Sequence, residues 1–159
     1  MINAAGSHAR RTTIRIASAV MTAATVIAMS GCVSPSRTTE DYQHKAANTA
    51  EAMISAVASA ELAGHAYLDG KAFGPFTSVN VTDAESDADS IMSTFDSVQP
   101  PNADADALKD RLDTAMQDAT SALTDLRIAV RRNHQADTTK ALDDLAKAKS
   151  DLEKIEQVA

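Results

Sequence analysis

Two carboxylate–histidine pairs are spaced so that each could grip a metal ion. Asp41 and His44 are three residues apart and Glu61 and His65 four apart. On a helix either spacing puts both side chains on one face. His44 and His65 lie 21 residues apart, about 31 Å at 1.5 Å per residue, so the pairs cannot share one ion. A di-metal bundle site needs Glu-x-x-His on two helices with further carboxylates, and the chain has no second copy. Solvated side chains are the plainer assignment and no metal is expected; Glu61 and His65 are the stronger candidates. Asp83, Glu85, Asp87 and Asp89 alternate like the start of a calcium loop, which needs Gly sixth and Glu twelfth. Ala88 and Thr94 stand there, so the run reads as the acidic first turn of a helix. Arg127, Arg131 and Arg132 form the one basic cluster. They either complement a helix end and pair with Asp125 or the acidic start of the second helix, or bind an anionic wall polymer or acidic partner segment.

Covalent chemistry has little to work with. Cys32 is the only thiol, and no Gly-x-Ser-x-Gly, Cys-x-x-Cys-His or strand-borne glycine loop occurs, which leaves nucleophile elbow, c-type haem and phosphate cradle without a motif. Met53, Met92 and Met116 fall on or beside apolar helical seams and read as packing. The chain is therefore expected to be non-catalytic and to carry no cofactor.

The setting of Cys32 is more telling than its thiol. Arg10, Arg11 and Arg15 precede it with no acidic residue in the first 31 positions, followed by the 13-residue apolar run Ile16 to Ala28 and then small residues. That order is a secretory signal peptide, and the run falls short of the roughly 20 apolar residues a spanning helix needs. The Arg10-Arg11 pair, followed by Thr-Thr-Ile, reads as ordinary leader charge rather than a twin-arginine signal. Met29-Ser30-Gly31-Cys32 resembles the lipobox of bacterial lipoproteins, with Met in place of the usual Leu. The resemblance implies cleavage after residue 31, acylation of Cys32 by chains such as palmitate, and a protein held on the extracytoplasmic side of the cell membrane. Residues 1–31 are then signal peptide, 32–37 lipidated cysteine and linker, and 38–159 the folded domain. The five residues Val33 to Arg37 span at most roughly 17 Å.

Removing the leader takes three of 15 basic residues and none of 22 acidic ones, leaving a formal charge of −10 on 128 residues. Such a balance repels nucleic acid and anionic headgroups. Alanine dominates the apolar residues, and glycine and proline are few and grouped, a composition that favours helices in close approach. Thr38 reads as an N-cap. Tyr42, Ala46, Thr49, Met53, Ala56, Ala60, Ala63 and Tyr67 then recur at alternating four and three, one helical seam that stops at Gly70. Lys71 to Val81 shows no helical period and is expected to be an apolar loop lidding the core with Phe73 and Phe76. Thr82 and Glu85 read as a capping box opening a second helix with Ala84, Ala88, Ile91, Phe95 and Val98 inside, ended by Pro100-Pro101. Asn102 caps a third helix with Leu108, Leu112, Leu123 and Leu126 inside, Asn133 to Ala136 turns the chain, and Asp137 caps a fourth helix with Leu145, Leu152 and Ile155 inside.

The expected fold is all-α: an up-down-up-down four-helix bundle with helices of about 32, 17, 31 and 20 residues. A second helix that short leaves the first either bent near Gly64 or projecting as a stalk. The plan is similar to the small Ala- and Asp-rich lipoproteins of high-GC Gram-positive bacteria, on Met29 to Cys32, Val98-Gln-Pro-Pro101, the Leu108/Leu112/Leu123/Leu126 helix, Arg131-Arg132-Asn133 and the Leu142/Leu145/Leu152 helix. It implies location and fold and transfers no active site. With the first helix leaving the bilayer, the 67–81 segment and the end of the third helix meet at the membrane-distal tip. Tyr67, Phe73, Phe76, Arg131, Arg132 and His134 are therefore the candidate contact surface for another envelope protein or polymer. The alternative is a small-ligand or metal-binding bundle that acts as sensor or carrier.

Overall fold

The computed structural model describes residues 38–159. Cys32, the signal peptide and the linker lie outside the described residues. The four helices are α1 (Thr39–Leu68), α2 (Gly74–Asp96), α3 (Ala103–Arg131) and α4 (Gln135–Val158). Each neighbouring pair packs together around the ring, α1 also meets α3 across the diagonal, and α2 and α4 do not meet. This is the all-α four-helix bundle expected from the seams.

The helix ends follow side-chain chemistry. Thr38 accepts a hydrogen bond from the Asp41 N–H at 3.1 Å, and Asn102 accepts one from the Ala105 N–H at 3.0 Å, as N-caps do. α1 ends in a Schellman turn: the Lys71 N–H donates to the Ala66 carbonyl and the Gly70 N–H to the Tyr67 carbonyl, with Gly70 at φ 70°. That left-handed conformation costs glycine nothing. α3 ends the same way, with His134 donating to Ala129, Asn133 to Val130, and Asn133 itself at φ 54°. Asparagine is among the few residues with a side chain that visit this region readily.

Four expectations about the second and fourth helices are corrected. There is no loop from 71 to 81: α2 begins at Gly74, with Pro75 in its first turn and Phe73 as N-cap. Proline's fixed φ suits the first helical positions, where its missing N–H has no partner to lose. Thr82 is not a cap, because its hydroxyl donates back to the Ser78 carbonyl at 2.8 Å, well inside the helix. The acidic run 83–89 therefore lies mid-helix, and the first turn of α2 holds no acidic residue. α4 starts at Gln135 with His134 as N-cap. Asp137 is instead a first-turn residue whose Oδ2 lies 2.9 Å from His134 Nδ1.

At 23 residues α2 is longer than its upper seam alone suggests. α1 is one uninterrupted helix buried at intervals from Tyr42 to Gly64, so none of it projects as a stalk. Its inner face is mostly alanine, while α3 and α4 bring Leu112, Leu123, Leu126, Leu142, Leu145 and Leu152. Small residues opposite large ones let the backbones approach and the leucines fill the space between. Gly64 is one close approach, since a Cβ there would lie 2.8 Å from Leu142 Cδ2 and 3.4 Å from both δ-methyls of Leu126. Two interhelical ion pairs tie the helices at defined levels: Lys149 to Glu61 at 2.6 Å, and Arg127 to Glu85 at 2.5 Å. Thr124 adds a bond to Glu85 at 2.8 Å.

At the Pro100 end the rings of Tyr42 and Phe95 sit 5.7 Å apart at 51°. The Tyr42 side chain is fully buried, and its hydroxyl has no hydrogen-bond partner. Burial pushes this phenol up to about 12, with Lys109 opposing the rise and Asp113 adding to it. An unpaired buried hydroxyl is destabilising, so Tyr42→Phe is expected to raise stability by about 1 kcal/mol in urea unfolding at neutral pH. The folded-state value lies above the unfolded one, so the native phenol keeps its proton while the unfolded one ionises. Stability is therefore lost as pH rises from about 10 to 12, amounting to about 2 kcal/mol at the upper end. Tyr42→Phe should lack this loss; parallel alkaline unfolding curves for the two proteins would disprove the assignment.

Candidate functional site

The end of the bundle opposite Pro100 is built from two helix stops and two helix starts. The Schellman turns of α1 and α3 lie side by side, joined by a hydrogen bond from the Tyr67 hydroxyl to Asn133 Oδ1 at 2.6 Å. Next to them is the first turn of α2. Between these elements opens a cavity of about 490 Å³ lined by Tyr67, Gly74, Pro75, Ser78, Val130, Arg131 and Asn133. Its walls are mainly apolar: the tyrosine ring, the proline and the valine. A Cβ on Gly74 would lie 3.6 Å from the Tyr67 ring, so α2 enters close against that ring.

The structure separates the six candidate contact residues. Tyr67 packs partly against the core and lines the cavity, and Arg131 borders it. Phe73 and Phe76 are 84% and 61% exposed, which overturns their expected role as a lid. The physical reason is the early start of α2: Thr77 and Val81 take the inward positions, and the phenylalanines are left outside. Arg132 lies elsewhere, in a groove between α3 and α4 with Asp125, Asp137, Lys140 and Asp144. His134 is exposed and engaged with Asp137. Asn133, Pro75, Ser78 and Val130 were not among the candidate contact residues. For Asn133 and Pro75 the available signals were an asparagine past a helix end and a proline at a helix start; Ser78 and Val130 had none.

Other candidates are accounted for by local partners. Glu61 is held by Lys149 while His65 faces solvent, so the pair is not assembled as a metal grip. Among the described residues no group of three or more His, Cys, Asp or Glu side chains is placed to hold an ion. Arg127 has the local partner expected of it, although Glu85 supplies it from mid-helix rather than from an acidic helix start. Among the described residues no helix is long and apolar enough to cross a membrane. No family model, curated protein or solved structure matches the chain.

Proposed function

We propose that this chain is a lipid-anchored, non-catalytic protein of the cell envelope that captures another envelope protein or polymer through the tip around Tyr67 and Arg131. The observation that carries this reading is the apolar cavity beside Arg131, next to the exposed rings of Phe73 and Phe76. Large exposed apolar side chains gathered beside a concavity are characteristic of interaction sites. Leu62 and Val79 add to the exposed apolar set. The lipobox-like residues before Cys32 and the short linker give the orientation: the Thr38 end of the bundle stays near the bilayer and the cavity lies at the far end. The acylated cysteine supplies membrane attachment, since acyl chains contribute about 0.8 kcal/mol per buried CH₂.

Photo-crosslinking in intact cells tests the tip. Phe76→Ala and Arg131→Ala are each expected to cut partner capture at least tenfold with the thermal midpoint unchanged; undiminished capture in both sinks the proposal. Cys32→Ser is expected to abolish palmitate labelling and shift the protein from the membrane to the soluble fraction.

A second reading, a small-ligand carrier or sensor, draws on the cavity volume of about 490 Å³, within the roughly 300–1,000 Å³ usual for small-molecule sites. Native mass spectrometry of the purified chain distinguishes the two, since a carrier retains a bound small molecule.

A further inference from the structure

We infer that the partner presents an acidic polypeptide segment that seats an apolar side chain in the tip cavity and pairs a carboxylate with Arg131. This deepens the proposed function and rests on the tip being the contact surface. The inference comes from where positive charge is left unmatched. The lysines in the described residues, and Arg127, each have an ion-pair partner. Arg111, Arg131 and Arg132 make no ion pair among the described residues. Two of these three stand among carboxylates of their own chain: Arg111 lines a groove with Asp110, Asp118 and Asp151, and Arg132 one with Asp125, Asp137 and Asp144. Arg131 alone borders a cavity whose lining contains no carboxylate.

The tip carboxylates do not line that cavity. The first turn of α2 has no acidic residue. Asp69, at the end of α1, is held by Lys71 at 2.8 Å, and Asp137 sits 2.9 Å from His134. In a chain with 22 acidic and 15 basic residues, an unmatched guanidinium beside an apolar hollow is the complement of an acidic chain with an apolar anchor. Arginine's fork pairs a carboxylate with two parallel bonds, and one apolar side chain set in a pocket is the usual centre of such an interface. A bilayer fits less well. The cavity is concave, and the chain's acidic excess opposes anionic headgroups. A uniformly anionic polymer has no apolar group for the Tyr67–Pro75–Val130 walls.

The test uses the full chain in detergent micelles and a fluorescein-labelled probe, Asp-Glu-Leu-Phe-Glu-Asp, read by anisotropy. Three controls replace the acids by Asn and Gln, replace Leu-Phe by Ser-Ser, or substitute poly-glutamate. The acidic apolar probe is expected to bind at least tenfold more tightly than each control and to weaken as salt is raised. Arg131→Gln and the cavity-filling Ser78→Phe are each expected to weaken it tenfold, and Arg111→Gln to leave it unchanged. No binding, equal binding of the uncharged probe, or equal loss with Arg111→Gln overturns the inference. Arg131-dependent binding of phosphatidylglycerol vesicles in place of the probe overturns it in favour of a lipid surface. In cells, capture that needs Phe76 but tolerates Arg131→Gln leaves the tip reading standing and removes this one. Capture indifferent to Phe76 and Arg131 removes both.

Discussion

Phe95→Ala is expected to lower the unfolding free energy by about 3–5 kcal/mol, read as a fall in the urea midpoint at constant slope. The ring is almost wholly buried in the core. One side packs against Tyr42, with ring centroids 5.7 Å apart, and Lys109 Nζ lies 5.4 Å from its centroid. Truncation removes the aromatic pair and the cation's platform and opens a cavity beside the ring of a tyrosine whose hydroxyl already lacks a partner. Lys109 itself stays anchored. Burial alone would lower its pKa, but its bonds to Asp113 at 2.8 Å and Asp96 at 3.1 Å outweigh that and leave it raised. A loss below about 1 kcal/mol would show that this end of the bundle collapses onto the gap rather than holding the ring's shape.

Gly64→Val should cost about 2–3 kcal/mol, although valine is the better helix former of the two. At Gly64 α1 lies close against leucines of α3 and α4. A new Cβ lies 2.8 Å from Leu142 Cδ2, with the Leu126 methyls at 3.4 Å closing the other side. Alanine is the informative contrast. The methyl of Leu142 is the free end of a flexible side chain and can swing aside. The helix-propensity gain of roughly 1 kcal/mol then offsets the crowding and leaves Gly64→Ala within about 1 kcal/mol of the parent. Valine's two further methyls leave no such room. Leu142→Ala should therefore cost less in the Gly64→Val background than alone, a coupling readable in a double-mutant cycle. Strict additivity would mean that the two side chains do not compete for the same space.

The seams of α1, α3 and α4 were legible because their inward residues are apolar and recur at the helical period. Thr77 explains why the first two turns of α2 were not. With Thr77 counted inside, the inward positions 77, 81, 84 and 88 continue the spacing of the rest of the helix. Thr77 is fully buried with no hydrogen-bond partner for its hydroxyl. A polar residue type in the core breaks a pattern read by hydrophobicity alone. The neighbouring Phe73-Gly74-Pro75-Phe76 then resembled an apolar loop, when Pro75 was the start of a helix. A similar masking held at α4, where Asp137 was the obvious cap type but the left-handed Asn133 restarts the helix three residues sooner.

The amino-acid sequence by itself determined the helical class, the number of helices and most of their inward faces. Those follow from local propensity, caps and period, which act within a few residues along the chain. It also carried the stop signal at Gly70. Only the tertiary structure decided which side chains share a place. It set Arg131 beside the Tyr67 cavity and Arg132 among the carboxylates of the next groove, although the two are adjacent in sequence. It gave Glu61 to Lys149, 88 residues away, and left Phe73 and Phe76 outside. Successive residues on a helix point about 100° apart. Which neighbour each one meets is then set by how four helices close around their alanines and leucines.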